Sequence, residues 1–335
     1  VEALLTAGAA SPPRAALLLI GYRQSATIDA AIEGAFAQDY PALDIVLSDD
    51  ASPDDTFARM QARAAAYTGP HRVILNRNPR NLGIGAHLAH ATTLTDAELL
   101  FVVAGDDVSL PHRVSRCVAA WEAHGRRPDL IAGWVEDLDA EGHVHDVLKP
   151  SDLSRWQTLA DWARERPYVI GAAQCWTRRL LDRFGGLAEG VVAEDLVMVF
   201  RAIGCGGAIT LPEPLVRYRR GGISRRVRAR SASDVVQRLR SNNRHALVEL
   251  PLLLRDAAAM GPDAVAAVEP VLAPQLARER FIAEVFGAAS TPTAWRAVRE
   301  AALVPWGVRL RMFVYARAPG LLAPVFGLKR VVRGR

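Results

Sequence analysis

Two adjacent carboxylates, Asp106 and Asp107, close the apolar run Leu99-Leu100-Phe101-Val102-Val103-Ala104-Gly105, and Pro111 follows at the start of a helical pattern. A buried strand that ends in acids offers hard oxygen ligands, which suit a divalent cation and the phosphate that such a cation carries. An earlier run repeats the arrangement: Leu43-Asp44-Ile45-Val46-Leu47 ends in Ser48-Asp49-Asp50-Ala51-Ser52-Pro53-Asp54-Asp55-Thr56. Two strands delivering acids to one sheet edge predict a nucleotide-diphosphate site. A third acidic pair, Glu194-Asp195, opens an apolar helical pattern, where acids also serve as plain helix N-terminal residues.

The elements that must hold these acids are legible in the hydrophobic pattern. Residues 15–20, 44–47, 72–75, 99–103 and 130–135 read as strands, and 26–38, 53–67, 84–95 and 111–124 as helices. This βαβα alternation implies a mostly parallel sheet covered on both faces, with ligands at the carboxyl ends of the strands. Ser52-Pro53-Asp54-Asp55 offers an N-cap serine, a proline at the first helical position and an acid three residues after the cap. Asn81-Leu82-Gly83-Ile84-Gly85 is a second turn-then-helix signal, its glycines able to bring backbone close to a ligand. Residues 136–150 read as a polar hairpin turning at Asp139-Ala140-Glu141-Gly142. Beyond it come an apolar segment at 168–176, helices near 178–184 and 194–203, and short strands near 208–211 and 215–218. From Ser231 onward the pattern is helical, interrupted by Pro251, Pro262, Pro270, Pro274, Pro292, Pro305, Pro319 and Pro324.

A chain of 335 residues holds one large α/β domain and an appendage, expected at 1–225 and 226–335. Net charge divides at Val216. Residues 1–216 carry 28 acidic against 19 basic side chains, a net of −9, and residues 217–335 carry 8 against 22, a net of +14. Cys117, Cys175 and Cys205 are far apart and odd in number, which indicates neither a disulfide framework nor a structural zinc site. No apolar stretch reaches the roughly 18 residues of a spanning helix, and no signal pattern opens the chain, so the cytoplasm is the expected compartment. The dinucleotide fingerprint GxGxxG and the P-loop pattern are both absent. His87 and His90 share a helix face and His143 and His145 a strand face, without a third ligand for either pair; all four read as structural or exposed.

Six elements in order then carry a resemblance: Leu19-Ile20-Gly21-Tyr22-Arg23, Ser48-Asp49-Asp50-Ala51-Ser52, Asn81-Leu82-Gly83, Gly105-Asp106-Asp107 with Pro111, Glu194-Asp195 with Arg201, and Tyr218-Arg219-Arg220. Together they resemble the family 2 glycosyltransferases of the GT-A fold, over roughly residues 15–225. The resemblance implies a Rossmann-like, mostly parallel sheet flanked by helices, with a helical C-terminal appendage. It also implies an inverting, metal-dependent enzyme that moves a sugar from a nucleotide-diphosphate donor, with UDP ahead of dTDP, to a saccharide or lipid-linked acceptor in cell-surface polysaccharide or glycolipid synthesis.

Site residues carry over position by position. Asp50 is expected to accept the imide N–H of the base, with Tyr22 packed beside that base; Asn81, Gly83, Asp107 and Arg220 are expected to complete the nucleotide site. Asp106 matches the last acid of the DxD signature and is expected to hold Mg²⁺ or Mn²⁺, although Ala104 stands where the first acid usually lies. Asp195 is the expected catalytic base, with Glu194 in support. Many relatives carry a histidine after the Tyr-Arg pair, where this chain has Gly221-Gly222.

Plainer readings stand beside these. Asp50 caps a turn, Tyr22 is a core aromatic, and Asp106-Asp107 and Glu194-Asp195 are helix N-terminal acids. The arginines at 217, 219, 220, 225, 226, 228 and 230 form either a loop closing on a diphosphate or a solvated face. A catalytically degenerate nucleotide-sugar-binding or scaffold protein is the alternative to an enzyme. A sugar-nucleotide pyrophosphorylase would need a glycine-rich signature after the first strand, which Ile20-Gly21-Tyr22-Arg23-Gln24 lacks. In the basic rear region Trp306, Phe313, Tyr315, Leu321, Leu322, Val325 and Phe326 are interleaved with Arg309, Arg311, Arg317, Lys329, Arg330, Arg333 and Arg335. That mixture suits peripheral contact with an anionic membrane at its inner face, or packing against the catalytic domain or a partner subunit. Nucleic acid is not an expected partner, since no binding module accompanies the charge.

Overall fold

The apolar runs of the front half become strands and the stretches between them helices. In the computed structural model, which describes residues 11–139, 141–219 and 231–322, the order is β1 (Ala15–Gly21), α1 (Ile28–Phe36), β2 (Leu43–Asp49), α2 (Thr56–Ala65), β3 (Arg72–Arg77), α3 (Ile84–Thr92), β4 (Leu99–Ala104), β5 (Val108–Ser109), α4 (Arg113–Ala123), β6 (Leu130–Leu138), β7 (Val144–Leu148), α5 (Leu159–Arg164), β8 (Cys175–Thr177), α6 (Arg178–Phe184), α7 (Glu194–Ile203) and β9 (Ala208–Arg219). Four helices follow: α8 (Ala232–Met260), α9 (Pro262–Gly287), α10 (Thr291–Glu300) and α11 (Trp306–Arg317).

The chain divides into two units. One runs through Gln157, from Pro167 to Glu189, and from Glu194 through β9; the other takes Thr158–Arg166, Gly190–Ala193 and the four last helices. All nine strands of the first unit join one sheet, ordered β3-β2-β1-β4-β8-β6-β9-β5, with β7 hydrogen-bonded to β6. β1 pairs in parallel with β2 and with β4, in a register that sets Gly21 beside Asp49 and Ile20 beside Ala104. The acids that follow β2 and β4 therefore emerge at the same sheet edge as the loop after β1. β2 is buried throughout and β1 at every position but Ile20, and Leu17, Leu19, Ile32, Ile45, Leu47, Phe101 and Val103 belong to the core between sheet and helices. Each such side chain contributes about 1.5 to 3 kcal/mol, so the strand ends are anchored.

Several local expectations change in the folded chain. The two short strands expected near 208–211 and 215–218 are one strand, β9. Its parallel pairing with β6 shifts register between Gly133 and Trp134 and again between Trp134 and Val135, opposite Pro214, because a proline cannot donate to the ladder and a bulge absorbs the defect. Ser52 does not cap α2, which starts at Thr56; the Asp54 carboxylate takes the cap role, accepting from the Thr56 amide at 3.2 Å and its hydroxyl at 2.6 Å. The Ser52 hydroxyl instead accepts from the Arg23 amide at 3.0 Å, tying the loop after β1 to the loop after β2.

In the second unit Pro251 lies inside α8, and Pro270 and Pro274 lie inside α9, so these prolines do not end helices as the pattern suggested. Tertiary packing of α8 against α9 offsets the lost backbone bonds. Ser231 and Asp234 form a reciprocal capping box that starts α8. Phe281, Ile282, Val285, Val298 and Met312 form this unit's own core. No helix among the described residues is long and apolar enough to cross a membrane.

Candidate active site

Three loops meet at the carboxyl edge of the parallel strands. The first, after β1, carries Tyr22 on the surface, with the Arg23 guanidinium 5.2 Å from its ring centre. The Gln24 amide donates to Thr56 Oγ1 at 2.9 Å, and Thr27 Oγ1 donates to the Gly105 carbonyl at 2.8 Å, so this loop is bound to both of the others. Arg23 and Ala51 both adopt left-handed backbone conformations, φ 57° and 56°. Non-glycine residues take that region only when the surroundings over-determine it, a pattern that gathers at functional sites.

The second loop holds Asp50. Its carboxylate is buried; Oδ1 accepts from Asn78 Nδ2 at 2.8 Å and from the Leu82 amide at 2.9 Å, and Oδ2 accepts from the Gly83 amide at 3.0 Å. The negative charge thus sits at the N-terminus of α3, where the backbone dipoles favour it. Gly83, at φ 77°, takes a left-handed conformation suited to glycine just before the helix. A carboxylate offers about four acceptor positions, so one remains open, on Oδ2. Asp49, its neighbour, is turned into the protein, accepting from the Ser52 amide at 2.9 Å and lying 3.4 Å from Arg77 Nε. Asn81 is exposed beside this turn.

Behind Asp50 lies a hydrogen-bond chain that the sequence reading missed. His87 Nε2 meets Ser48 Oγ at 2.7 Å, Asn76 Nδ2 donates to Ser48 Oγ at 2.9 Å and to Asn78 Oδ1 at 3.0 Å, and Asn78 passes to Asp50. The signal was present as two asparagines at period two near the end of β3, which share one face of the strand. Burial pushes His87 down to about 4, against the opposite pull of Asp50 and Asp49. The unfolded chain takes up this proton near pH 6.5, so between pH 6.5 and 4 the unfolded state binds more protons than the folded one. Stability from this group is therefore complete above pH 6.5 and declines as pH falls toward 4, by about 3 kcal/mol at most. Urea unfolding of the native chain and of His87→Asn at pH 7 and pH 4.5 checks this: the variant is expected to lose clearly less stability on acidification, and equal losses would remove the histidine from the account.

The third loop presents Asp106 and Asp107, and the two differ. Asp107 is buried, with Oδ1 accepting from the Arg219 amide at 2.9 Å; burial and the neighbouring charge of Asp106 push its carboxyl up to about 8. Expected beside the nucleotide, Asp107 instead clips the turn after β4 to the end of β9. Asp106 is half-buried, its carboxyl raised by burial and opposed by the Arg219 charge and a hydrogen bond from Gln24. A Cβ at Gly105 would press on the ends of the Gln24 and Ile28 side chains, so the first and third loops touch closely here. Arg220 and the arginines at 225, 226, 228 and 230 lie outside the described residues; Arg219 is the member of that motif which the fold brings to Asp106 and Asp107.

Asp195 reaches the same rim by a different route. It opens α7, its Oδ1 accepting from the Leu196 amide at 2.8 Å, and Glu194 precedes it in the first helical turn. A Cβ built on Gly171 would stand 3.0 Å from Asp195 Cβ and 3.4 Å from its Oδ2, so the short turn at Gly171–Ala173 forms a wall against this carboxylate. Gln174 Nε2 lies 3.5 Å from the Asp195 carbonyl. Fully buried Arg113 joins this turn to β4, donating through Nη2 to the Val102 carbonyl at 2.9 Å and to the Gln174 carbonyl at 3.0 Å, and through Nη1 to Ser109 at 2.9 Å. Asp195 is thereby tied to the end of β4 that leads into Asp106. By contrast, a cavity of about 420 Å³ lined by Asp129, Arg179, Arg183 and Cys205 lies at the amino ends of β6 and β9, away from these acids.

Among the described residues no group of three or more His, Cys, Asp or Glu side chains converges on a cation position. Asp106 alone of its pair faces outward. That donor set fits Mg²⁺ or Mn²⁺ held by one carboxylate together with the phosphates of a bound nucleotide and water, the usual manner of binding for such ions.

The fold is of the GT-A type, and comparison with known proteins agrees. Residues 18–138 match the model of glycosyl transferase family 2. The succinoglycan biosynthesis protein ExoO of Rhizobium meliloti (strain 1021) is 29% identical over 242 residues, covering 64% of each chain. The chain spans 64% of ExoO and less of the other curated relatives it matches. Among solved structures, S. aureus TarS residues 1–349 in complex with UDP-GlcNAc superposes with a TM-score of 0.56 at 16% identity, covering 91% of this chain and 88% of that one. The mannosyltransferase PcManGT from Pyrobaculum calidifontis in complex with GDP-Man and Mn²⁺ gives 0.52 at 18% identity, covering 93% and 87%. Both likenesses are of fold.

Proposed function

We propose that this protein is an inverting glycosyltransferase that moves a sugar from a nucleotide-diphosphate donor to a saccharide or lipid-linked acceptor during polysaccharide or glycolipid assembly on the cytoplasmic side of a membrane. The observation that carries the reading is the arrival of Asp50, Asp106 and Asp195, on loops distant in the chain, at one sheet edge. The name of ExoO supports a role in polysaccharide synthesis, and the ligands of TarS and PcManGT support a nucleotide-sugar donor.

In this reading Tyr22 packs beside the base and Asp50 accepts from it. The single open acceptor on Asp50 favours a base with one imide N–H, as in uracil or thymine, over guanine, whose adjacent N1–H and N2–H groups are best met by two free carboxylate oxygens. Asp106 and the Arg219 charge face the diphosphate. A Mg²⁺ or Mn²⁺ ion bound with it would neutralise charge on the departing phosphates. Asp195 takes the proton of the acceptor hydroxyl as that oxygen bonds to the anomeric carbon and the bond to the diphosphate breaks on the opposite face. Glu194 stands beside Asp195 in the first turn of α7 in a supporting role.

Nucleotide release measured across a panel of UDP-, dTDP-, GDP- and CMP-sugars with Mn²⁺ tests the assignment. Slow hydrolysis of one UDP- or dTDP-sugar is the expected result. Silence across the panel with nucleotide still bound would overturn the enzyme reading in favour of a binding or scaffold protein.

A further inference from the structure

The second unit concentrates exposed apolar side chains in one place. Leu303 is 78% exposed, Trp306 49% and Trp295 38%, and Leu310 is exposed one helical turn beyond Trp306 on the same face of α11. These are large side chains, and a soluble surface seldom gathers so many in one patch without a use for them. Trp295 packs edge-on to Trp306, with ring centres 6.3 Å apart, and to Phe313 at 5.2 Å, so α10 and α11 present a single aromatic surface.

The loop between these helices is firmly held. Arg309 donates to the carbonyls of Val304 and, at 3.2 Å and 3.0 Å, of Val298 and Ala302, and its guanidinium lies 5.4 Å from the Trp306 ring centre. Leu303 is therefore displayed by a braced turn. The segment that carries the patch is predominantly basic: between 291 and 322 stand Arg296, Arg299, Arg309, Arg311 and Arg317 against Glu300. Lys329, Arg330, Arg333 and Arg335, together with Val325 and Phe326, lie outside the described residues but add four cations and no acid to the same end of the chain.

We infer that the α10–α11 surface, led by Leu303, Trp306 and Trp295 and ringed by Arg296, Arg299 and Arg311, is a docking face for an anionic lipid bilayer. Tryptophan suits the headgroup layer because its ring is apolar and its N–H polar. Leucine supplies insertion, and arginine supplies attraction to anionic headgroups of about fivefold in affinity per residue. A purely apolar partner protein would leave that ring of cations unmatched, and nothing in the inference depends on the sugar-transfer reading.

Co-sedimentation of the full chain with phosphatidylcholine vesicles, with and without phosphatidylglycerol, tests it. Binding is expected only to the anionic vesicles and is expected to weaken steeply as salt rises. Leu303→Ser with Trp306→Ser, both at exposed positions, should lower partitioning by at least tenfold, and Arg296→Gln, Arg299→Gln and Arg311→Gln together by roughly a hundredfold, with circular dichroism unchanged. Equal binding to neutral vesicles, no binding at all, or full binding by both variants would overturn the inference. Size-exclusion chromatography of the same proteins separates the main rival: a dimer in the native chain that the serine variant dissolves would make the patch a contact between two copies, and salt-sensitive binding to duplex DNA lost in the arginine variant would make it a nucleic-acid face.

Discussion

Asp195→Asn is expected to lower sugar transfer by about a thousandfold while changing donor affinity by no more than about twofold. The substitution keeps the side chain's shape against Gly171 and its place at the start of α7, but removes the group able to take a proton. Steady-state transfer and equilibrium binding of the nucleotide sugar, measured on the same preparation, separate the two effects. Gly171→Ala is a companion test of geometry. An added methyl would stand 3.0 to 3.4 Å from the Asp195 side chain, so the carboxylate must give by a few tenths of an ångström, and about a tenfold loss of turnover with intact donor binding is expected. Loss of donor affinity in Asp195→Asn equal to its loss of turnover would place the residue in the donor site and remove it as the base.

Asp106→Asn is expected to act on a different quantity. Turnover should again fall by roughly a hundred- to a thousandfold, but donor affinity should fall as well, and only when Mg²⁺ or Mn²⁺ is present. In metal-free buffer the native chain and the variant should bind the donor alike, because the contacts assigned to Tyr22 and Asp50 are untouched. Titration calorimetry of the nucleoside diphosphate with and without Mn²⁺ reads this directly. A variant that still gains affinity from the metal would show that Asp106 is not its ligand. Asp107→Asn supplies the contrast: buried and bonded to the Arg219 amide, it should affect thermal stability more than metal-dependent binding.

The two aspartate pairs show what a sequence can and cannot resolve. Hydrophobic runs ending in Asp49-Asp50 and Asp106-Asp107 were enough to place acids at the carboxyl ends of parallel strands, because strand burial and βαβ handedness follow from local patterns. Which partners each member of a pair would find was beyond them. Asp49 meets the Ser52 amide and Arg77, and Asp107 meets an amide 112 residues away in β9. Those partners exist only once the sheet has closed.

The same division runs through the rest of the molecule. By itself the sequence determined the βαβα half, the helical half, the boundary in charge between them and the family motifs, since periodicity, composition and motif spacing are properties of the linear chain. Only the tertiary structure decided that Ser52 braces a neighbouring loop instead of capping α2, that His87 backs Asp50 through Ser48, Asn76 and Asn78, that Arg113 links the Asp195 turn to β4, and that three prolines sit inside long helices. Each of these depends on a side chain or carbonyl brought near by packing of distant segments, where burial sets the cost of an unmet polar group and so selects the partner.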